Sequence, residues 1–513
     1  MTSIEAKNGS CIALSTALEC ENVAPFRETL VASCTQTVDQ VKQDSLFVCL
    51  NDSDYEQVCR DVHDACARGA LAAVVNSALE NDLCHRFDDV CQNSLFQVIY
   101  VDDPRSVFAR ACQAFCDFPA KSMKTVAVTG TSGKTSLCYI IGGALAQAGM
   151  KVGLVCSLGV YDGVTLSPTK ETTPQPEELA PLLLRMKEAG CAAVIIETTA
   201  VALAEKRLAG VEFDAVCMTN LRRDRLDYFK TVDKYRRVSM QIFNYLKPDG
   251  IAICNVDDRV TDAALHLISN PTLTVGIQPT ACSVYGTPVE SNNGEQSFYI
   301  AAGSEAALVR VNIIGKEHIY NCLEATALGL AWGIDLQTLV KGVERVEYIP
   351  GRMEKIDSEQ PLCVYLDRAN SAETLESTLV TLKKTTTNGK LFCVLCPPSD
   401  ADRGKRPLMA RTAELHSNTL VLTYGNNPAS QTQDAVNDLI TGLERPKQAQ
   451  IILERKEAIV WALSHANPDD VVLIVGQDVS TLDEVNEKFV PDRQFIKDWL
   501  LENQPASEKY WDN

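Results

Sequence analysis

Short apolar runs recur along the chain, separated by stretches in which apolar residues return every third or fourth position. Ser45 to Leu50, Ala72 to Val75 and Phe96 to Val101 are apolar and rich in β-branched or aromatic residues, the pattern of buried strands. Tyr55 to Gly69, between the first two, has helical spacing. Residues 1–122 therefore predict a small α/β domain that ends near Pro119-Ala120-Lys121.

A second series begins at Thr125. The strand Thr125 to Thr129 is followed by a glycine turn and a helix over Thr135 to Ala148, where Leu137, Ile140, Ile141, Ala144, Leu145 and Ala148 share one face. Further strands are predicted at Lys151 to Val155, Ala192 to Ile196, Ala215 to Met218 and Ile251 to Asn255. Strands separated by helices imply a largely parallel sheet covered on both faces. This gives a central domain over residues 123–349, with a boundary near Tyr348-Ile349-Pro350-Gly351. Residues 350–513 predict a third α/β domain with strands at Leu362 to Leu366, Leu391 to Leu395, Thr419 to Thr423, Gln450 to Leu453 and Val471 to Val475.

A length of 513 residues suits several domains rather than one core. No apolar run reaches the roughly 18 residues of a membrane span, and the opening MTSIEAKNGSCIALSTALECENV lacks the pattern of a secretory signal. A cytoplasmic protein is expected. The net charge of −19 argues against a phosphate-backbone partner, so no nucleic acid is expected. The 20 cysteines are scattered, as buried thiols are. No metal or redox role is expected for the close pairs Cys112/Cys116 and Cys393/Cys396; the second lies in a strand-like run, where three-residue spacing sends side chains to opposite faces.

The chemistry concentrates at Thr125 to Ser136, T-V-A-V-T-G-T-S-G-K-T-S. A strand, a turn at Gly130 and Gly133, and a helix start aim backbone N–H groups and the positive end of a helix dipole at an anion. Thr131, Ser132 and Ser136 complete the loop. Lys134 supplies a point charge for phosphates, and the Thr135 hydroxyl a ligand for Mg²⁺. Val128 stands where the longer phosphate loop has its first glycine, so this is a shorter variant. Glu197 closes the strand Ala192 to Ile196, at the strand end where open α/β sheets bind ligands, and its hard oxygens suit Mg²⁺ beside Thr135. ATP and Mg²⁺ are the expected cofactors.

Other segments follow in order: Thr172-Thr173-Pro174, Glu197, Thr219-Asn220-Leu221, Asp224 with Leu226-Asp227-Tyr228, Asn255-Val256-Asp257-Asp258, Gly315 with Tyr320-Asn321, Gly351-Arg352-Met353-Glu354 and Asp402-Arg403-Gly404-Lys405-Arg406-Pro407. This series resembles the Mur ligase family, and most closely its muramyl-tripeptide synthetases. The resemblance implies three domains, with a central phosphate-loop sheet and a Rossmann-like C-terminal domain. It implies an ATP-dependent amide ligase that phosphorylates a carboxylate and passes the acyl group to an amine. Carried over by position, Lys134 and Thr135 serve the phosphates and Mg²⁺, and Glu197 the metal. Asn321 contacts the nucleotide, Arg352 the γ-phosphate and Asp367 the ribose. Thr172 and Thr173 lie near the substrate, with Lys405 and Arg406 as further substrate candidates. ATP and small-molecule acid and amine substrates are the implied partners.

The departures gather at the chemistry. Val201 and Arg225 stand where the family has histidines, and Phe229 replaces another. Ser239 takes the place of a lysine that the family carbamylates. In the family, the histidine at position 225 and that lysine support a second Mg²⁺. Arg225 is accordingly expected to stabilise phosphate directly, the alternative being a site that binds nucleotide without turnover. Thr37-Val38-Asp39 replaces the uridine motif. Asn426-Asn427-Pro428-Ala429 lacks the arginine that would grip the incoming amino acid. Two readings stay open: an ATP-dependent carboxylate–amine ligase, and a nucleotide-binding scaffold or regulator. A folylpolyglutamate-synthase-like relative fits the phosphate loop but not D-R-G-K-R-P.

Overall fold

The computed structural model describes residues 3–5, 11–18, 29–88, 96–277, 282–292, 294–358, 360, 362–386, 388–396, 403–424, 429–476 and 491–503. Three main sheets follow one another along the chain. The first has five strands, in which Ser3–Glu5 runs antiparallel at one edge and Ser33–Thr35, Ser45–Val48, Ala72–Asn76 and Gln97–Val101 are parallel. The helix Pro104–Phe115 follows, started by Asp103, whose carboxylate accepts the Ser106 N–H at 3.1 Å.

The central sheet has 11 strands. Its parallel part runs in the order Val152–Cys156, Ala193–Glu197, Lys124–Thr129, Phe213–Met218, Leu246–Asn255, Thr272–Gly276, Val284–Asn292. The predicted strands are all present. The sheet is largely parallel, as expected, and antiparallel strands close both ends: Gly159–Tyr161 and Leu166–Ser167 at one, Glu295–Ala302 and Glu305–Val311 at the other.

The middle strands read as unbroken apolar runs because alternate residues enter two different cores. Val126, Val128, Ile195 and Cys217 pack under the helices Lys134–Gln147, Lys316–Ala331 and Leu336–Glu344. Ala127, Val194, Ile196 and Val216 pack on the other face with Leu179, Leu183 and Met186 of the helix Pro176–Glu188.

The third sheet has six strands, ordered Glu354–Ile356, Cys363–Asp367, Val471–Val475, Leu391–Leu395, Thr419–Leu422, Gln450–Ile451, all parallel but the first. The central core continues into it without a break: Leu375, Leu379 and Met409 belong to the same apolar cluster as Leu137 and Leu323. That continuity holds the third sheet over the C-terminal ends of the central strands. Among the described residues, no helix is long and apolar enough to cross a membrane.

Candidate functional site

The loop after Lys124–Thr129 turns at Gly130, where φ is +133°. A Cβ there would lie 2.1 Å from Thr219 Oγ1 and 3.0 Å from the Asn220 carbonyl oxygen, so the neighbouring strand end excludes any side chain. Gly133, at φ +86°, opens the helix Lys134–Gln147, whose first N–H groups face the cleft. Asn220 grips the turn from both sides: its Oδ1 accepts the Ser132 N–H at 3.1 Å and its Nδ2 donates to the Ser132 carbonyl at 3.1 Å. Thr131 Oγ1 lies 2.9 Å from Tyr235 Oη and accepts the Arg222 N–H at 2.9 Å. Lys134 Nζ bridges the loop, donating to the carbonyls of Gly130 at 2.8 Å and Thr131 at 3.0 Å.

Four polar groups meet at the foot of this helix. Thr135 Oγ1 donates to Glu197 Oε1 at 3.1 Å and lies 2.9 Å from Ser157 Oγ. The other oxygen, Oε2, accepts the Ser157 N–H at 2.9 Å. From the third sheet, Arg352 Nη2 donates to Thr135 Oγ1 at 3.1 Å. Arg352 sits between Gly351 and Met353, both left-handed at φ +63° and +48°. That turn is held because Asp367 Oδ2 accepts the Met353 N–H at 2.8 Å. A buried carboxylate beside a hydroxyl is a hard-oxygen donor pair that fits Mg²⁺, which takes one or two protein ligands and completes its shell with phosphate and water. The glycine turn, which a Cβ would fill, fits phosphate. Burial, with Glu197 close by, pushes the thiols of Cys138 and Cys156 up, Cys156 to about 12, so neither behaves as a nucleophilic thiolate.

The same cleft is lined by Gly130 to Ser136, Thr172, Glu197, Val201, Arg225, Tyr235, His318, Asn321, Arg352 and Asp367. Asn321 is buried and packs on the loop: a Cβ on Gly133 would lie 3.0 Å from its Oδ1. His318 is buried too, and desolvation lowers its pKa to about 3, so the imidazole stays neutral. Asp367 is buried, which raises its pKa, while the N–H groups of Met353 and Ala369 and the charge of Arg352 pull it back. Its oxygens hold the Arg352 turn as well as facing the cleft.

Arg225 lines the cleft and is itself held by Asp227, through Nε to Oδ1 and Nη2 to Oδ2, both at 3.2 Å. Ser239 does not line it: the serine is buried and its hydroxyl donates to the Tyr235 carbonyl one helical turn back, at 2.9 Å.

Three substrate candidates have partners within the protein. Thr173 is buried, and its hydroxyl donates to the Glu197 carbonyl at 2.8 Å, so it fixes the strand end while Thr172 faces the cleft. Lys405 pairs with Asp224 at 2.8 Å, and Arg406 with Asp438 at 2.9 Å; neither lines the cleft. Asp402 and residues 425–428 lie outside the described residues. Two residues to which the sequence reading gave no role position the site. Asn220 clamps Ser132. Arg207 is buried and ties Glu171, the Thr173 carbonyl at 2.6 Å and Glu205 at 2.5 Å. An arginine among alanines and lysines past a strand end carries no local signal of that role.

Comparison with known proteins joins this geometry to a family. Residues 128–329 match the Mur ligase middle domain, and residues 351–477 the Mur ligase glutamate ligase domain. The UDP-N-acetylmuramoyl-L-alanyl-D-glutamate–2,6-diaminopimelate ligase of Bacillus velezensis is 30% identical over 477 residues, covering 90% of this chain and 93% of that protein. The ligase of the same name from Bacillus cereus is 28% identical over 488 residues, covering 93% and 95%. A solved structure of a ligase bearing that name superposes with a TM-score of 0.65 at 23% identity, over 91% of this chain and 93% of the other. The MurF ligase of Thermotoga maritima in complex with ADP gives 0.57 at 15% identity, over 91% and 96%. With both domains matched in order around one cleft and a relative at that identity over nearly the whole chain, this protein belongs to the Mur ligase family of ATP-dependent carbon–nitrogen ligases.

Proposed function

We propose that this chain uses ATP and Mg²⁺ to join a UDP-muramyl-peptide-like carboxylic acid to an amine. One observation carries the reading. Loop hydroxyl Thr135, strand-end carboxylate Glu197 and the third-sheet guanidinium Arg352 converge on a single oxygen, with both contacts at 3.1 Å. Such a corner offers a guanidinium to a terminal phosphate and a hard-oxygen pair to the cation that accompanies it.

The glycine turn, the N–H groups at the helix start and Lys134 hold the phosphates. Thr135 and Glu197 hold the metal, which neutralises charge on the phosphates when bound. Asn321 borders the nucleotide, with Asp367 at its ribose. Thr172 borders the acid. An oxygen of the acid attacks the γ-phosphorus, forming an acyl phosphate as the bond to ADP breaks. The amine then attacks the acyl carbon, phosphate leaves, and the new amide nitrogen loses a proton. The Arg352 guanidinium offsets the negative charge of the γ-phosphoryl group during transfer.

Phosphate release tests the reading, with UDP-muramyl dipeptide as acid and a panel of amino acids as amines. Release that needs both acid and amine is expected. Nucleotide binding with no release under any pairing would reduce the protein to a scaffold that keeps the site and has lost the reaction.

A further inference from the structure

Among the described residues, the carboxylates lining the cleft are Glu197, Asp224, Glu317 and Asp367. Asp224 and Glu317 are paired with cations of the protein and Asp367 with backbone N–H groups, whereas Glu197 takes only the Thr135 hydroxyl and the Ser157 N–H. Asp224 takes the Lys405 ammonium at 2.8 Å, and Glu317 takes Arg222 Nη2 at 3.0 Å. Asp367 is buried under the N–H groups of Met353 and Ala369, at 2.8 and 2.9 Å. That leaves Glu197, beside the Thr135 hydroxyl, as the carboxylate placed for a divalent ion.

The neighbourhood of Arg225 has no place for another. Both oxygens of Asp227 are taken by Arg225 itself. Val201 contributes hydrocarbon to the cleft wall. The Ser239 hydroxyl is buried and turned to the Tyr235 carbonyl. A divalent ion there would face a guanidinium and, in Asp224, a carboxylate already paired with the Lys405 ammonium. Yet a triphosphate approached by a carboxylate brings more negative charge than one divalent ion neutralises.

We propose that the cleft binds its nucleotide with a single divalent cation, at Thr135 and Glu197, and that Arg225, fixed by Asp227, supplies further positive charge to the phosphoryl group in transfer. The inference rests on the nucleotide-binding assignment above. A planar guanidinium held on one edge is a preorganised phosphate donor that needs no second metal. Its position in the backbone is equally fixed: Arg225 is left-handed, at φ +48°, and starts the short helix Leu226–Phe229.

Two measurements test this. In the first, Mn²⁺ is titrated into the full chain with a β,γ-imido ATP analogue and free Mn²⁺ is followed by electron paramagnetic resonance. One tightly bound Mn²⁺ per chain is expected, and Glu197→Gln should release it; two per chain would overturn the proposal. In the second, calorimetry compares Mg-ADP with Mg-ADP plus aluminium fluoride, a mimic of the phosphoryl group in transfer. Arg225→Asn, chosen because asparagine tolerates the left-handed backbone, should weaken the aluminium fluoride complex roughly 100-fold and leave Mg-ADP within about 3-fold. Arg225→Lys should recover part of the loss. Equal weakening of both ligands, or of neither, would refute the role of Arg225. If the unaltered chain binds no nucleotide, the functional reading falls with it; a second Mn²⁺ would remove the inference alone.

Discussion

The Arg352 guanidinium donates to the Thr135 hydroxyl across 3.1 Å, although 217 positions separate them in the chain. Neither sheet could build this contact alone. The phosphate loop ends a strand of the central sheet, and Arg352 rides a turn that leads into the third. The apolar core that runs unbroken between them sets the distance. Replacing Arg352 with Ala should therefore spare most nucleotide affinity and lower turnover by about 100-fold or more, the scale of losing one preorganised charge at a transferring phosphoryl group. Steady-state kinetics read beside calorimetry check the split; equal losses in kcat and in nucleotide affinity would contradict it.

Lys134 plays two parts: its ammonium spans the carbonyls of Gly130 and Thr131, and the same charge is placed for phosphate. Lys134→Ala should abolish measurable Mg-ATP binding, a loss of at least about 100-fold, while thermal unfolding shifts little because the side chain is only part-buried. Unchanged affinity would remove the phosphate assignment of the whole loop.

Gly130 tests the backbone of that loop. An added methyl would meet Thr219 Oγ1 at 2.1 Å and the Asn220 backbone at 3.0 and 3.1 Å, at a φ of +133° that side chains rarely adopt. Gly130→Ala should cost about 2–4 kcal/mol of stability, from strain and overpacking together, and lose nucleotide binding as well. Denaturant unfolding and calorimetry on the same preparation would measure both.

How much of this was legible depends on where the information lies. The strand Ala193–Glu197 could be read because both faces are buried, so nearly every residue is apolar. The ribbon from Val284 to Val311 could not. Only one face is covered, its other face exposes Tyr285 and Tyr299, and Pro288 interrupts a strand that accommodates it with a register shift before Glu290. The phosphate loop was legible because its chemistry is contiguous. Arg352 has no local signal, since its place depends on how two sheets dock, and it was reached only through the order of motifs. Lys405 shows the converse. It lies in a motif that suggested substrate contact, and its ammonium is buried against Asp224.

That pair joins the helix Lys405–His416 of the third sheet to the loop before Arg225, with side chains only 7% and 14% exposed. Removing one partner takes the 2.8 Å counter-ion from a charge that is mostly shielded from solvent. Asp224→Asn or Lys405→Met alone should destabilise by about 3–5 kcal/mol, and the double substitution by markedly less. Chemical denaturation of all four forms gives the coupling directly. Strictly additive losses would show that the bond does not tie the two sheets together.

A last prediction comes from Glu324, in the helix Lys316–Ala331 behind the phosphate loop. It is fully buried, and neither carboxylate oxygen has a hydrogen-bond partner among the described residues. Burial first, and the charge of Glu317 second, push its pKa well above the ordinary value of 4.5. The folded protein therefore keeps Glu324 protonated where the unfolded chain has released the proton. Stability contributed by this group is whole below pH 4.5 and is lost as pH rises from there toward the raised folded value, the reverse of a salt-bridged carboxylate. Each pH unit above the unfolded value costs about 1.4 kcal/mol while the folded group stays protonated. Glu324→Gln removes the titration and leaves a polar amide of nearly the same shape. Its stability relative to the unaltered chain should climb as pH rises above the ordinary carboxylate range, by at most about 1.4 kcal/mol per pH unit, measured by denaturant unfolding in matched buffers. A difference that stays flat as pH rises would mean that Glu324 ionises in the fold, with a partner or water to receive its charge.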